Sequence, residues 1–297
     1  MHFADTLTGE FNRHANQKSE YAFLESGSIL VNSLAFLYAK TNDPDLLKQA
    51  DLLVDYSFSN KNQETGLVIN SPARDRWDQH TSTTEIGLWG LNILKATKNI
   101  PDDMMNKWVK VVEEAISPWL KYGFDTEKGM FYGALNITNA QPIPRTDDYP
   151  YKPDTYADIW NPLFPTHNYP MQFAECCLEL YKITNNQIYR ESSDRWYKHV
   201  LNQLGSRNNH TLYAENYARV IYFLFHYGRA FNNQEAIDWA EILANEAVSN
   251  LFIRENQMFR SHTKEMRYDA VDGVGLLYFP LSWLQTGKSS ELSQVFF

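Results

Sequence analysis

Acidic, histidine and tyrosine side chains gather just ahead of, or in the first turn of, the most apolar stretches of this chain. In order they are His80, Thr84 and Glu85; His167, Asn168 and Tyr169; His210, Tyr213, Glu215 and Tyr217; and His262, Arg267, Tyr268, Asp269 and Asp272. Four of the eight histidines fall in these groups. Helix starts also collect Asp, Asn and Thr as caps, a sufficient account of Thr81, Thr83 and Asp269. The repeated His and Tyr call for another explanation.

Three reactions suit this set. Inverting hydrolysis of a glycoside needs one carboxyl group to protonate the leaving oxygen and another to activate water across the sugar. Glu85, Glu215, Asp269 and Asp272 are the candidates. Glu215 is the sharpest, because a carboxylate leading into an apolar helix needs a partner once buried. Asp272 stands in RYDAVDGVG, where Gly273 and Gly275 let backbone come close. β-Elimination from a uronic acid needs a base and an acid, often His and Tyr. His210 with Tyr213, or His167-Asn168-Tyr169, offers these types, and Arg74, Arg76, Arg219 and Arg267 could grip the carboxylate bidentately. Epimerisation needs two opposed bases near neutrality, usually histidines; His80, His167 and His262 fit. Trp77 and Trp160, in polar stretches, offer ring faces to a sugar. His14, His199 and His226 lie outside the pattern and receive no role.

The elements behind these groups repeat. Each unit reads as a short Gly/aromatic segment, a polar loop, an apolar helix, an Asn/Gly/Pro break and an amphipathic helix. The breaks fall near residues 42, 99, 185, 232 and 286. The unit around Tyr213–Gly228 is apolar on most sides. The helix after Asn232-Asn233 has one charged face (Glu235, Asp238, Glu241) and one apolar face. A helix apolar all round is buried, and its amphipathic partner covers it. Five such units are expected, the last lacking most of its outer helix, in a single domain over 21–297 behind an arm or partial helix over 1–20. The long 134–166 stretch, rich in Pro, Asp, Asn and Tyr, reads as a functional loop.

Composition narrows the partners. The chain has 297 residues and a net charge of −9, which argues against nucleic acid or an anionic membrane. Its 18 Tyr, 17 Phe and 8 Trp suit sugar-binding clefts, although most should simply fill a helical core. Cys176 and Cys177 are neighbours on a helix and read as buried thiols. No apolar run is long enough to span a membrane, and the first twenty residues lack an apolar core of signal-peptide length. The chain is expected to be soluble, its compartment open.

Helical hairpins at this spacing resemble the (α/α) toroids of carbohydrate-active enzymes: six-hairpin glycosidases, unsaturated glucuronyl hydrolases, N-acylglucosamine 2-epimerases and several polysaccharide lyases. The stretches that carry the resemblance are EKGMFYGAL, THNYPMQFAECCLELYKITNNQIYRESSDRWYKHV, LYAENYARVIYFLFHYGRAF and MFRSHTKEMRYDAVDGVGLLYFPLSWL. It implies an all-α, (α/α) toroid of about five hairpins, incomplete beside the six or seven of a full ring. It also implies a substrate funnel where the inner helices begin. Asn209-His210 with Tyr213 is similar to the Asn-His pair of alginate-lyase-like enzymes. The His-Pro-Gly-His type of segment associated with the 2-epimerases is absent. The expectation is an enzyme that cleaves a glycosidic linkage in an oligo- or polysaccharide. Hydrolysis stands ahead of elimination, because the acids lie on the inner helices and the net charge disfavours a polyanion. Epimerisation and a non-catalytic binding scaffold follow. Catalysis is expected from Glu215, Asp272, Glu85, His167, His210 and Tyr213. Binding is expected from Trp77, His80, Trp160, Asn168, Tyr169, Tyr217, His262, Arg267, Tyr268 and Asp269. No cofactor or metal ion is implied.

Overall fold

The computed structural model describes residues 3–4, 6–9, 11–12, 24–70, 80–143, 155–161, 169–269, 272–290 and 297. Each apolar stretch forms an inner helix and each amphipathic stretch the outer helix that follows. The pairs are α1 (Leu24–Thr41) with α2 (Pro44–Ser59), α3 (Thr83–Ala96) with α4 (Asp102–Tyr122), α5 (Met171–Thr184) with α6 (Gln187–Leu204), and α7 (Ala214–Phe231) with α8 (Gln234–Leu251). A fifth inner helix, α9 (Val274–Thr286), has no outer helix among the described residues. The inner helices follow one another side by side: α1 packs on α3, α3 on α5, α5 on α7 and α7 on α9. Among the described residues α9 and α1 do not pack in this way.

Asparagine sets three of the turns inside the hairpins. Asn42, Asn185 and Asn232 adopt left-handed backbone (φ 57°, 54° and 53°) and close α1, α5 and α7. Asn tolerates this region better than other non-glycine residues. The next residue then caps the outer helix. Asp43, Asn186 and Asn233 accept from the backbone N–H groups of Asp45, Ile188 and Ala236 at 3.0, 3.1 and 3.0 Å. The Asn-Asn breaks of the sequence are therefore a stop signal followed by a start signal.

Small hairpins lead from outer helices back to inner ones. Phe124–Asp125 pairs with Met130–Phe131, and Phe252–Ile253 with Met258–Phe259, both antiparallel. A further two-stranded sheet joins His80–Ser82 to Ala134–Asn136, with His80 opposite Asn136. At the N-terminus, expected as an arm or partial helix, Phe3–Ala4 pairs with Phe11–Asn12. Among the described residues no helix is long and apolar enough to cross a membrane.

The apolar faces meet between the two helical layers. Trp89, Trp108, Trp119, Trp196 and Phe173 are fully buried, and Phe131 stacks on Trp196 at 4.0 Å. Cys176 and Cys177 are buried free thiols, with burial pushing Cys177 up to about 12. Inner helices come very close where the sequence supplies glycine. A Cβ on Gly87 of α3 would lie 2.7 Å from Phe173 Cα and 2.8 Å from the Gln172 carbonyl carbon on α5. Backbone cannot yield there as a side chain could. Gly87→Ala is expected to destabilise the protein by about 1–3 kcal/mol through overpacking, lowering the thermal unfolding midpoint by roughly 2–10 °C. An unchanged midpoint in calorimetry would show that α3 and α5 separate freely.

Candidate functional site

The first turns of four inner helices are linked by an unbroken series of contacts. On α3, Thr84 Oγ1 accepts the backbone N–H of Tyr169, at the entry to α5. The Tyr169 ring lies under the Arg219 guanidinium of α7, 4.6 Å from its centre. Arg219 donates from Nε and Nη2 to Glu215 Oε1 at 2.9 and 2.5 Å. With its amide oxygen turned inward, Gln172 of α5 also accepts from Arg219 Nη2 at 3.2 Å. Glu215 in turn presses on Gly273, the residue that opens α9, so closely that a Cβ there would overlap the Glu215 side chain. Gly273 has φ 73°, left-handed backbone that glycine adopts without strain. These helix starts are therefore tied together by direct contacts.

Around Glu215 lies a second layer from the 260–272 loop. Residues 212–214 pair with 261–263: Ala214 N–H donates to Ser261 O at 2.8 Å, and Thr263 N–H to Leu212 O at 3.1 Å. This pairing places the Tyr213 ring 4.8 Å from the ring of His262. Asp272 Oδ2 is buried and makes no hydrogen bond, with Arg267 Nη2 at 3.5 Å. Arg267 also pairs with Glu265 (2.7 Å) and Asp269 (3.0 Å). Burial, then the charge of Asp272, raises the Tyr213 phenol above its ordinary value, with Arg267 opposing. Tyr213 is thus a proton donor at neutral pH. His262 is buried, its Nδ1 accepts the Lys264 N–H at 3.2 Å and its Nε2 lies 3.6 Å from Glu265 Oε2.

Glu215, Asp272, Tyr213, His262, Arg267, Asp269 and Tyr169 are thereby brought together. Tyr268 lies on the same loop and is exposed. Glu85 is buried in the first turn of α3, where Ser82 caps the helix by accepting its N–H at 3.4 Å. His80 is buried in the strand before it. His210 is displaced: its Nε2 lies 3.6 Å from Asp158, beside a cleft lined by Thr155, Tyr156, Asn202 and Ser206. Two binding assignments need correction. Trp160 is fully buried, its indole N–H donates to Gln203 O at 2.8 Å, and it offers no ring face to a sugar. Tyr217 is equally buried and points outward, donating to Glu246 on α8 at 2.7 Å. Trp77, His167 and Asn168 lie outside the described residues. Among the described residues no three His, Cys, Asp or Glu side chains form a metal-holding group.

Sequence reasoning passed over a polar column deeper along the axis. On α7, Glu215, Arg219, Tyr222 and His226 recur at helical spacing, as do Gln172, Glu175, Glu179 and Lys182 on α5. His226 Nδ1 lies 2.8 Å from Glu175 Oε2, and its Nε2 3.2 Å from Lys182 Nζ. Lys95 of α3 is buried beside them. The signal was present as a polar stripe on otherwise apolar helices. His199, by contrast, is structural: Nδ1 accepts the Phe131 N–H at 3.1 Å and burial lowers its pKa to about 3.

No family model matches the chain, and no curated protein sequence matches it. Solved structures do. A sugar epimerase from a ruminal bacterium superimposes with a TM-score of 0.67 at 10% identity, over 98% of this chain and 79% of that one. A GH76 α-mannanase of Bacteroides thetaiotaomicron gives 0.63 at 12%, over 92% and 72%. An unsaturated glucuronyl hydrolase specific for heparin gives 0.55 at 13%, over 88% and 76%. The fold is an (α/α) toroid. The rest of the likeness is architectural.

Burial lowers the Lys95 pKa to about 7, with Glu175 opposing and Arg219 adding to the fall. The unfolded chain holds this proton up to about pH 10.4. Between the two values the unfolded state binds more protons, so stability rises with pH; below about 7 the penalty is complete. Lys95→Met is therefore expected to stabilise the fold by roughly 2–4 kcal/mol at pH 6, with the gain fading toward pH 10. Urea unfolding of both proteins across that range measures it. A gain independent of pH would show that Lys95 keeps its proton when folded.

Proposed function

We propose that the protein is a carbohydrate-active enzyme that hydrolyses a glycosidic bond in an oligo- or polysaccharide. The observation that carries this reading is the convergence of Glu215 and Asp272 at the starts of two adjoining inner helices. Glu215 is buried, and Asp272 is half-buried with its Oδ2 3.5 Å from Arg267. Glu215, fixed by its two bonds to Arg219, is assigned to activate the water. Asp272 is assigned to protonate the leaving oxygen. Tyr213, a neutral phenol, and Arg267 with Tyr268 are placed to hold sugar hydroxyls. His80, in the strand before α3, and Glu85, in the first turn of α3, are assigned to the far side of the sugar. The toroid neighbours with glycosidase names support the reading at the level of fold, as does the net charge of −9, which favours a neutral glycan over a polyanion.

A second reading rests on His262. A buried imidazole against a tyrosine ring, with Nδ1 held by the Lys264 N–H and Nε2 3.6 Å from Glu265, is a group suited to moving a proton at C2 of a reducing sugar. His80 would be the opposed base. Solvent deuterium entering C2 of a reducing sugar, without new reducing ends, would identify that activity.

The deciding assay incubates the protein with neutral and uronic-acid glycans while following reducing ends and the absorbance of unsaturated products. Hydrolysis is expected to raise reducing ends alone on a neutral glycan. Glu215→Gln and Asp272→Asn should each lower kcat by about 10²–10⁴-fold, the usual contribution of a positioned acid or base. Reducing ends with absorbance would indicate elimination. No product across the panel would favour a binding scaffold, and full activity in both variants would remove the carboxylate pair from the mechanism.

A further inference from the structure

The cleft beside His210 has a volume of about 680 Å³, inside the ~300–1,000 Å³ range of sites that take small molecules. Its walls are the 155–161 loop, the last turn of α6 with Ser206 beyond it, and His210 itself. The loop wall is tied down. Gly133 N–H donates to Thr155 O at 3.1 Å, Ala157 N–H to Phe131 O at 2.9 Å, and Ile159 N–H to Gln203 Oε1 at 2.9 Å. Asn216, beside Glu215, donates to Asn161 O at 2.9 Å. The loop therefore runs alongside the start of α7, yet no residue lining the cleft belongs to the cluster around Glu215 and Asp272.

Several polar groups of this cleft have hydrogen-bonding capacity left over. Neither the Thr155 hydroxyl nor the Asn202 amide bonds to another described residue. Ser206 Oγ donates its hydrogen to Gln203 O at 2.9 Å and keeps its lone pairs. Asp158 Oδ2 and His210 Nε2 stand 3.6 Å apart, their side chains 20% and 24% exposed. That gap is too long for a direct hydrogen bond, and a hydroxyl oxygen about 2.8 Å from each would bridge it. A carboxylate oxygen accepts more than one such bond. Tyr156 lines the same wall with its ring held in place. It stacks on Tyr132 at 5.3 Å, and its OH donates to Asp125 Oδ2 at 2.7 Å. The cleft is thus shaped by the protein's own bonds before any ligand arrives, which lowers the entropy cost of binding.

We propose that this cleft is a second binding site, separate from the carboxylate pair, which takes about two or three sugars of a neutral glycan. The chemistry follows from what lines the walls. Hydroxyls and an amide, which donate and accept, match sugar hydroxyls, which do both. One hydroxyl bridges Asp158 and His210. The fixed Tyr156 ring and the Met130 side chain give apolar surface to the C–H side of a sugar. Among the described lining residues there is no lysine or arginine, so an anion would meet Asp158 with only His210 to balance it. A metal ion would find a single carboxylate there. Binding requires no cleavage at Glu215 and Asp272, so the site stands or falls independently of the hydrolytic reading.

Carbethoxylation of His210 by diethyl pyrocarbonate, quantified per residue by mass spectrometry, tests it on the intact protein. Mannotriose, cellotriose and xylotriose are the probes. One of them is expected to slow labelling of His210 saturably, by about tenfold once it exceeds its Kd about tenfold. Exposed Lys48 and Lys110, on outer helices, react with the same reagent and should keep their rates. Asn202→Ala and Thr155→Val should each raise the half-protecting concentration by about threefold to tenfold, the effect of one lost hydrogen bond. No slowing of His210 by any of the three sugars would overturn the proposal, and so would equal protection in both variants. In the wild-type protein, stronger protection by glucuronic acid or glucose 6-phosphate than by the trisaccharides would overturn the neutral-ligand assignment.

Discussion

Apolar surface on the inner helices is consumed by the outer layer, so their polar side chains have one direction left, the axis. There they are withdrawn from water, and each charge must find a partner among the neighbouring helices. Arg219 is the residue on which most of this depends. It binds Glu215 along its own helix, accepts the support of Tyr169 and Gln172 from α5, and lies within electrostatic reach of Lys95 on α3. Three helices thus settle their registers against one guanidinium. Its planar donors suit several acceptors at once, where a lysine would offer a single point of charge.

Local turn chemistry makes that arrangement possible. Left-handed asparagines end the inner helices at a fixed place, and the following residue starts the outer helix without slack. Helix starts are set by strand-like pairings, most clearly where residues 212–214 meet 261–263. That pairing sets Tyr213 and Glu215 on one side of the cluster, His262 and Asp272 on the other. Gly273 completes it, since a larger residue would push α9 away from the Glu215 side chain.

Much of this could be read from the residues in order. Apolar and amphipathic periods gave the layers, and the Asn42, Asn185 and Asn232 breaks gave the hairpins, because both signals are local. The glycines beside Asp272 pointed to a close approach that the Glu215 contact explains. Side-chain direction was harder. Tyr217 follows Glu215 by two positions, which on a helix turns it to the other side, toward α8. Trp160 stands in a polar stretch, yet a distant acceptor, Gln203 O, draws it inward. Lys95 and Glu175 passed unnoticed because single charges inside apolar helices look like surface residues until the neighbouring helices are known. His226 was set aside for lying far from any helix start.

Arg219 also acts in two directions along the axis. It neutralises Glu215 at one end and depresses the basicity of Lys95 toward the other. Both effects come from a charge that does not titrate. Glu215 therefore keeps a fixed counter-charge and Lys95 a fixed repulsion, whatever the pH.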